Sequence, residues 1–240
     1  MSPIRRGMVL AAGLGTRMRP LTDSLPKALV AVAGETLIDR ILDRMAEAGV
    51  GEVVVNLHHK GDQLAGHLAG RTRPRIIESR EETLLETGGG VRQALPLLGD
   101  GPFFVINGDI LWRNGKRSAL ERLAAAWDGD RMDGLLLLQR TVSAFGYDGR
   151  GDFMLTQDGL IRRPEPGEIP PYLFAGLQIL HPRLFHGAPD GAFSLNRLYA
   201  QAAEAGRLGG IVHDGEWYHV GTPQALAEAE EALATQRIWL

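Results

Sequence analysis

A short run of small and apolar residues, positions 7–12, stops abruptly at Gly13, and no other feature restricts so tightly what this chain can fold into. The run reads as a buried strand. The small residues Ala11 and Ala12, with Gly13 and Gly15, let the main chain turn sharply at its end and approach a ligand closely. Backbone N–H groups in such a turn can face an anion without a charged side chain. A plain structural turn has the same glycine spacing, so the residues that follow decide the matter. Thr16-Arg17, Arg19-Pro20-Leu21-Thr22 and Pro26-Lys27 add cations and two prolines that stiffen the chain. Arg17 supplies a forked donor set and Lys27 a compact ammonium.

Two glycine loops are excluded by spacing. A P-loop needs Gly-Lys-Ser/Thr after four intervening residues, and the dinucleotide fingerprint needs glycine where Met18 stands. Downstream, apolar positions 37, 38, 41, 42 and 45 form one helix face closed by Gly49. Residues 52–57 form a continuous apolar strand, buried on both faces if its sheet is parallel. Further strands are expected at 75–78, 103–106, 135–139, 172–180 and 208–212. Helices are expected at 87–98, 118–127, 195–205 and from Gln224 past Thr235. A glycine-rich hairpin excursion spans 146–163. The pattern predicts an α/β chain with a Rossmann-like open mixed sheet flanked by helices, one domain over 1–240.

Ligands of such sheets sit at the carboxyl ends of strands. Asn107-Gly108-Asp109 leaves the strand at 103–106, which makes Asp109 either a cap for the next element or a magnesium ligand. His58 and His59 follow the strand at 52–57 and read more simply as loop histidines without chemistry, and Asn56 near the strand's end is read in the same way, without a site role. The triple glycine at 88–90 reads locally as a flexible loop. The chain has 240 residues, a formal charge of −3 and no cysteine. That charge argues against a nucleic-acid partner, and the missing thiols exclude disulfides, thiolate metal sites and a cysteine nucleophile. No apolar run approaches a membrane span and none at the N-terminus resembles a signal peptide, so a cytoplasmic protein is expected.

The stretch Leu10-Ala-Ala-Gly-Leu-Gly-Thr-Arg, followed by Pro26-Lys27, resembles the signature of the sugar-1-phosphate nucleotidylyltransferases, and the resemblance extends over nearly the whole chain. It implies the nucleotide-diphospho-sugar transferase fold, with the nucleotide held by approximately residues 1–115 and the sugar by 116–240. Leu10, Ala11, Ala12, Gly13, Gly15, Thr16, Arg17 and Lys27 are then nucleotide-binding, as are Glu86, Thr87, Gly88 and Gly89 in a second nucleotide loop, and Asn107. Arg17, Lys27 and Asp109 become the catalytic set. Arg150-Gly151-Asp152-Phe153 resembles the sugar-binding segment of members that act on N-acetylmuramate-1-phosphate, although a surface hairpin turn explains it as well. The same resemblance assigns Gly151, Asp152, Glu165 and Gly176 to the sugar.

The segment Trp217-Tyr-His-Val-Gly-Thr-Pro223 resembles the family's Trp-x-Asp-x-Gly-Thr-Pro, with His219 where a second metal carboxylate usually stands. His219 can ligate the ion, leave Asp109 to hold it with phosphate and water, or contact the sugar phosphate. Mg²⁺ is the implied cofactor at Asp109, and an imidazole beside it would also suit Mn²⁺ or Co²⁺. UTP and a sugar-1-phosphate are the implied partners of a monomer or small homo-oligomer. Mannose- or heptose-1-phosphate guanylyl transfer and glucose-1-phosphate thymidylyl transfer are the neighbouring alternatives. A nucleotide-sugar-binding regulator without catalysis is the alternative of another class.

Overall fold

The computed structural model describes residues 3–236. In chain order the first half carries β1 (Arg6–Leu10), α1 (Leu37–Glu47), β2 (Glu52–Leu57), α2 (Gly61–Leu68), β3 (Arg75–Arg80), α3 (Glu86–Leu98), β4 (Phe103–Asn107) and β5 (Ile110–Arg113). The second carries α4 (Ala119–Ala126), β6 (Gly134–Arg140), β7 (Tyr172–Leu180), α5 (Asn196–Glu204), β8 (Leu208–Val212), β9 (Glu216–His219) and α6 (Pro223–Gln236). The expected continuation of α6 past Gln236, like residues 1 and 2, lies outside the described residues.

Among the described residues a seven-stranded sheet runs in the order β8-β6-β7-β4-β1-β2-β3. Strands β4, β1, β2 and β3 are parallel, β7 is antiparallel to both of its neighbours, and β8 is parallel to β6. Successive side chains alternate between faces, so Met8 and Val54 pack with α3 and α5 while Val9, Val53 and Val55 pack with α1. Helix α1 starts where the Thr36 side chain accepts from Asp39 N at 3.2 Å, a cap worth about 1 kcal/mol. Its apolar stripe, Leu37, Ile38, Ile41, Leu42 and Met45, is wholly buried. A third cluster joins Met18, Val30 and Val32 to Tyr218, Val220 and Ala229, so β9 and α6 brace the segment after Gly15 from behind.

The expected strands and helices are present, and the excursion contains a two-residue ladder, Met154–Leu155 with Ile161–Arg162. Two features escaped the periodicity. Helix α2 has eight residues with two glycines, and only Gly61, Leu64 and Leu68 are buried, too little contrast for a clear stripe. Strand β5 follows β4 almost directly and is defined by a distant partner, pairing antiparallel with β9 so that His219 lies opposite Ile110.

Candidate active site

The carboxyl ends of β1 and β4 lie side by side, with Leu10 opposite Asn107 in the ladder. Just beyond, Gly108 N donates to Leu10 O at 2.9 Å, and a Cβ at 108 would stand 2.7 Å from that oxygen. Glycine therefore lets the two strand ends close on each other and brings Asp109 beside the first loop. Gly15 has φ +64°, and Thr22 donates its hydroxyl to Gly15 O at 2.7 Å. A side chain at 15 would press on Thr22 and Lys27, so the turn is built around its absence. Above these ends opens a cleft of about 360 Å³, lined by residues 10–13, Lys27, Asn56, Glu86, Thr87 and 107–109 among others.

Lys27 opens a short helical turn after Pro26 and meets Asp109 across the cleft, Nζ to Oδ2, at 2.8 Å. The lysine side chain is 12% exposed and the carboxylate 31%, so the pair is sheltered yet open to a ligand. Burial pushes the Asp109 carboxyl up, but Lys27, His219 and Arg17 together outweigh it and hold the group below its ordinary value. His219, at the end of β9, is half-buried; burial lowers its value, Lys27 and Arg17 lower it further, and Asp109 only partly opposes them. The imidazole is thus favoured in its neutral form. Arg17 is exposed at the mouth of the loop and acts on both groups through space. Thr16 beside it is exposed as well.

The segment 86–90 is the beginning of α3, in line with the helix expected over 87–98, and not the flexible loop that the triple glycine reads as locally. Glu86 and Thr87 face the cleft, but Gly88, Gly89 and Gly90 are buried in the helix. A Cβ at 88 would strike the Phe193 ring, one at 89 would strike Gly191 O, and one at 90 would stand 2.7 Å from Glu81 Oε1. The glycines thus have a packing reason that the sequence alone did not suggest. Thr87 Oγ1 accepts from Leu195 N at 3.0 Å, tying the start of α3 to the wall formed by residues 191–195.

On the other side of β4, Gly176 has φ +82° at a bulge in β7, its Cα facing Ile110 and Asn107. Gly151, with φ +91°, donates its N–H to Tyr147 Oη at 3.0 Å. Asp152 Oδ2 accepts from Phe174 N at 2.9 Å, which ties this segment to the start of β7. Glu165 is exposed and does not line the cleft; its N–H donates to Glu168. Asn56, which carries no site role in the sequence reading, accepts at Oδ1 from Ala11 N at 2.7 Å, and the buried Glu81 behind it is the residue that sequence reasoning passed over. An asparagine at the carboxyl end of a parallel strand was the available signal.

Among the described residues no three carboxylate, imidazole or thiol groups gather to hold a metal. Asp109 and His219 offer at most two donor side chains. That set fits a cation whose shell is completed by phosphate oxygens and water.

A family model described as nucleotidyl transferase matches residues 6–236. The chain is 48% identical to N-acetylmuramate alpha-1-phosphate uridylyltransferase of Caulobacter vibrioides, over 95% of this chain and 96% of that one. It is 37% identical to the protein of the same name from Neisseria meningitidis serogroup B, over 95% and 98%. The solved complex of UDP-glucose pyrophosphorylase with UDP-glucose superposes with a TM-score of 0.77 at 18% identity, covering 97% of this chain and 99% of the other, a likeness of fold.

Proposed function

Because the chain belongs to the nucleotidyl transferase family, we propose that it transfers the uridylyl group of UTP to the 1-phosphate of N-acetylmuramate, giving the UDP-sugar and pyrophosphate. In this reaction a sugar-phosphate oxygen forms a bond to the α-phosphorus of UTP. The bond from that phosphorus to the α,β-bridging oxygen breaks, and pyrophosphate leaves with the electron pair. The attacking phosphate is already anionic, so no side-chain nucleophile or strong base is required. Two anions must be brought together and charge accumulates on the leaving group, which makes positioning and preorganised positive charge the main contributions.

The single observation that supports this reading best is the sheltered Lys27–Asp109 pair at 2.8 Å beside the glycine-lined end of β1. Lys27 lies by the α-phosphate and the attacking oxygen, and Arg17 holds the β- and γ-phosphates. Backbone of residues 10–13 and of 86–87, with Asn107, faces the nucleoside; Gly15 and Thr16 shape the phosphate loop, and buried Gly88 and Gly89 support α3. Gly151, Asp152, Glu165 and Gly176 belong to the sugar half, residues 116–240, with Asp152 acting through the main chain of β7. Asp109, with His219 beside it, would hold a divalent cation, Mg²⁺ or the softer Mn²⁺ or Co²⁺, which supplies charge neutralisation for the phosphates when bound. The product is a cell-wall precursor sugar, and the reaction suits recycling of such sugars from the cytoplasmic triphosphate pool. No helix among the described residues is long and apolar enough to cross a membrane.

Pyrophosphate release from UTP, GTP, dTTP and ATP against the 1-phosphates of N-acetylmuramate, N-acetylglucosamine, glucose and mannose tests the proposal. UTP with the muramate sugar is expected to stand out. A different best pair refutes the substrate assignment, and no release from any pair refutes the reaction.

A further inference from the structure

Glu81, one residue past β3, is a carboxylate only 5% exposed, and the described structure gives it no ion-pair partner within salt-bridge distance. Its two oxygens serve two segments. Oε1 accepts from Asn56 Nδ2 at 2.7 Å, and Oε2 accepts from Leu85 N at 3.0 Å. Asn56, 3% exposed, passes the connection on, its Oδ1 accepting from Ala11 N at 2.7 Å. A continuous chain of hydrogen bonds therefore runs from the end of β1 through β2 to the start of α3. Its two termini lie at the two stretches of main chain that line the cleft, residues 10–13 and 86–87. Glu81 itself does not line the cleft.

Both termini of this chain are backbone N–H donors. An amide in the middle passes polarity along, accepting on one side and donating on the other, so the chain closes only if one member accepts on both sides. Glu81 is that member. The carboxylate also sits at the N-terminus of the 13-residue helix α3, where helix dipoles favour negative charge. Gly90 leaves the space: a Cβ there would stand 2.7 Å from Glu81 Oε1 and 3.0 Å from Asn56 Nδ2.

We infer that Glu81 is a positioning residue that sets the separation and orientation of the two nucleotide-facing segments through the Ala11–Asn56–Glu81–Leu85 hydrogen-bond chain. The kinetic part of this inference rests on the proposed function; the structural part does not. Glu81→Gln keeps the side chain's shape but reverses one link, so that a donor meets a donor at Ala11, at Leu85 or between the two amides. Asn56→Asp alone sets two carboxylates face to face. Glu81→Gln with Asn56→Asp restores the polarity. The Leu85 N–H then donates to the oxygen of the new amide at position 81, and the NH₂ of that amide donates to the new carboxylate at position 56. The second oxygen of that carboxylate accepts from the Ala11 N–H.

The test combines residue-resolved amide hydrogen exchange with steady-state kinetics on the full chain. Faster exchange at Ala11 or Leu85 is expected in each single variant, with protection regained in the double variant. Glu81→Gln is expected to raise the KM for UTP about tenfold, the scale of one lost buried hydrogen bond, while the KM for N-acetylmuramate-1-phosphate changes less than about twofold. Unchanged exchange and KM in Glu81→Gln, or a double variant no better protected than the singles, overturns the inference. If Glu81→Gln does not fold, the double variant still must fold with both amides protected, and its failure to do so overturns the inference. Should the wild type release no pyrophosphate from any pair, the functional reading falls while the exchange result judges Glu81 independently.

Discussion

Lys27 and Asp109 neutralise each other across the cleft, and in the proposed reaction Lys27 answers to phosphate and Asp109 to the cation, so each is needed by a different partner. Lys27→Ala takes away a preorganised donor and leaves a sheltered carboxylate facing incoming anions; turnover is expected to fall about 10²-fold or more, and Arg17→Ala by a similar factor, measured as pyrophosphate release by folded protein. The two depressed pKa values act on stability in the same direction, each lowering it as the solution is acidified, but over different pH ranges. Asp109 is held below its ordinary 3.8, so the native state gains from its ionisation above that value, and the gain is lost as pH falls through the depressed value. For His219, held below its ordinary 6.5, the unfolded chain takes up a proton before the native ring does, so stability drops as pH falls below 6.5. His219→Asn is expected to flatten that decline in urea unfolding between about pH 6.5 and 5, and an unchanged slope contradicts it. At this scale the sequence disclosed residues whose chemistry is unusual for their place, such as Lys27 after a proline and Asp109 after an apolar strand. Glu81 was hidden because it sits in the charged run Glu78-Ser-Arg-Glu-Glu82, which looks solvated until tertiary partners bury it.

The strands and helices were legible wherever burial imposed a period. Helix α1 shows its whole face at positions 37, 38, 41, 42 and 45, and β2 reads as one apolar run because helices pack on both faces of the sheet there. The ribbon of β5 and β9 was not, since its pairing joins residues about a hundred positions apart, and that ribbon is what carries His219 to Asp109. The helix over the α3 glycines was expected, but the reason for three in a row was not: Gly88 and Gly89 pack against residues 191–193 and Gly90 against Glu81 and Asn56. The first loop, by contrast, depends on backbone conformation. Gly15→Ala forces a Cβ into a left-handed residue against Thr22, at a cost of about 1–2 kcal/mol. A midpoint lowered by several degrees in thermal unfolding, together with reduced turnover, is the expected result; wild-type values for both would show that the turn tolerates a side chain.

Across the whole molecule, one sheet carries both halves of the proposed reaction, and β7 joins them by pairing with β4 on one side and β6 on the other. A continuous sheet with cores on both faces predicts a single cooperative unfolding transition rather than two. UTP at a hundred times its dissociation constant should add about 2.7 kcal/mol to that transition. The cleft at the ends of β1 and β4 was foreseeable from the rule that open α/β sheets bind ligands at the carboxyl ends of their strands, whereas the contribution of Ser194, distant in sequence, to its lining required the fold. The most direct measurement is the structure of the protein crystallised with UTP. The account predicts the triphosphate in the cleft of residues 10–13, with its phosphates at Arg17 and Lys27 and beside Asp109; a triphosphate bound elsewhere, with Lys27 still engaged only by Asp109, would contradict it.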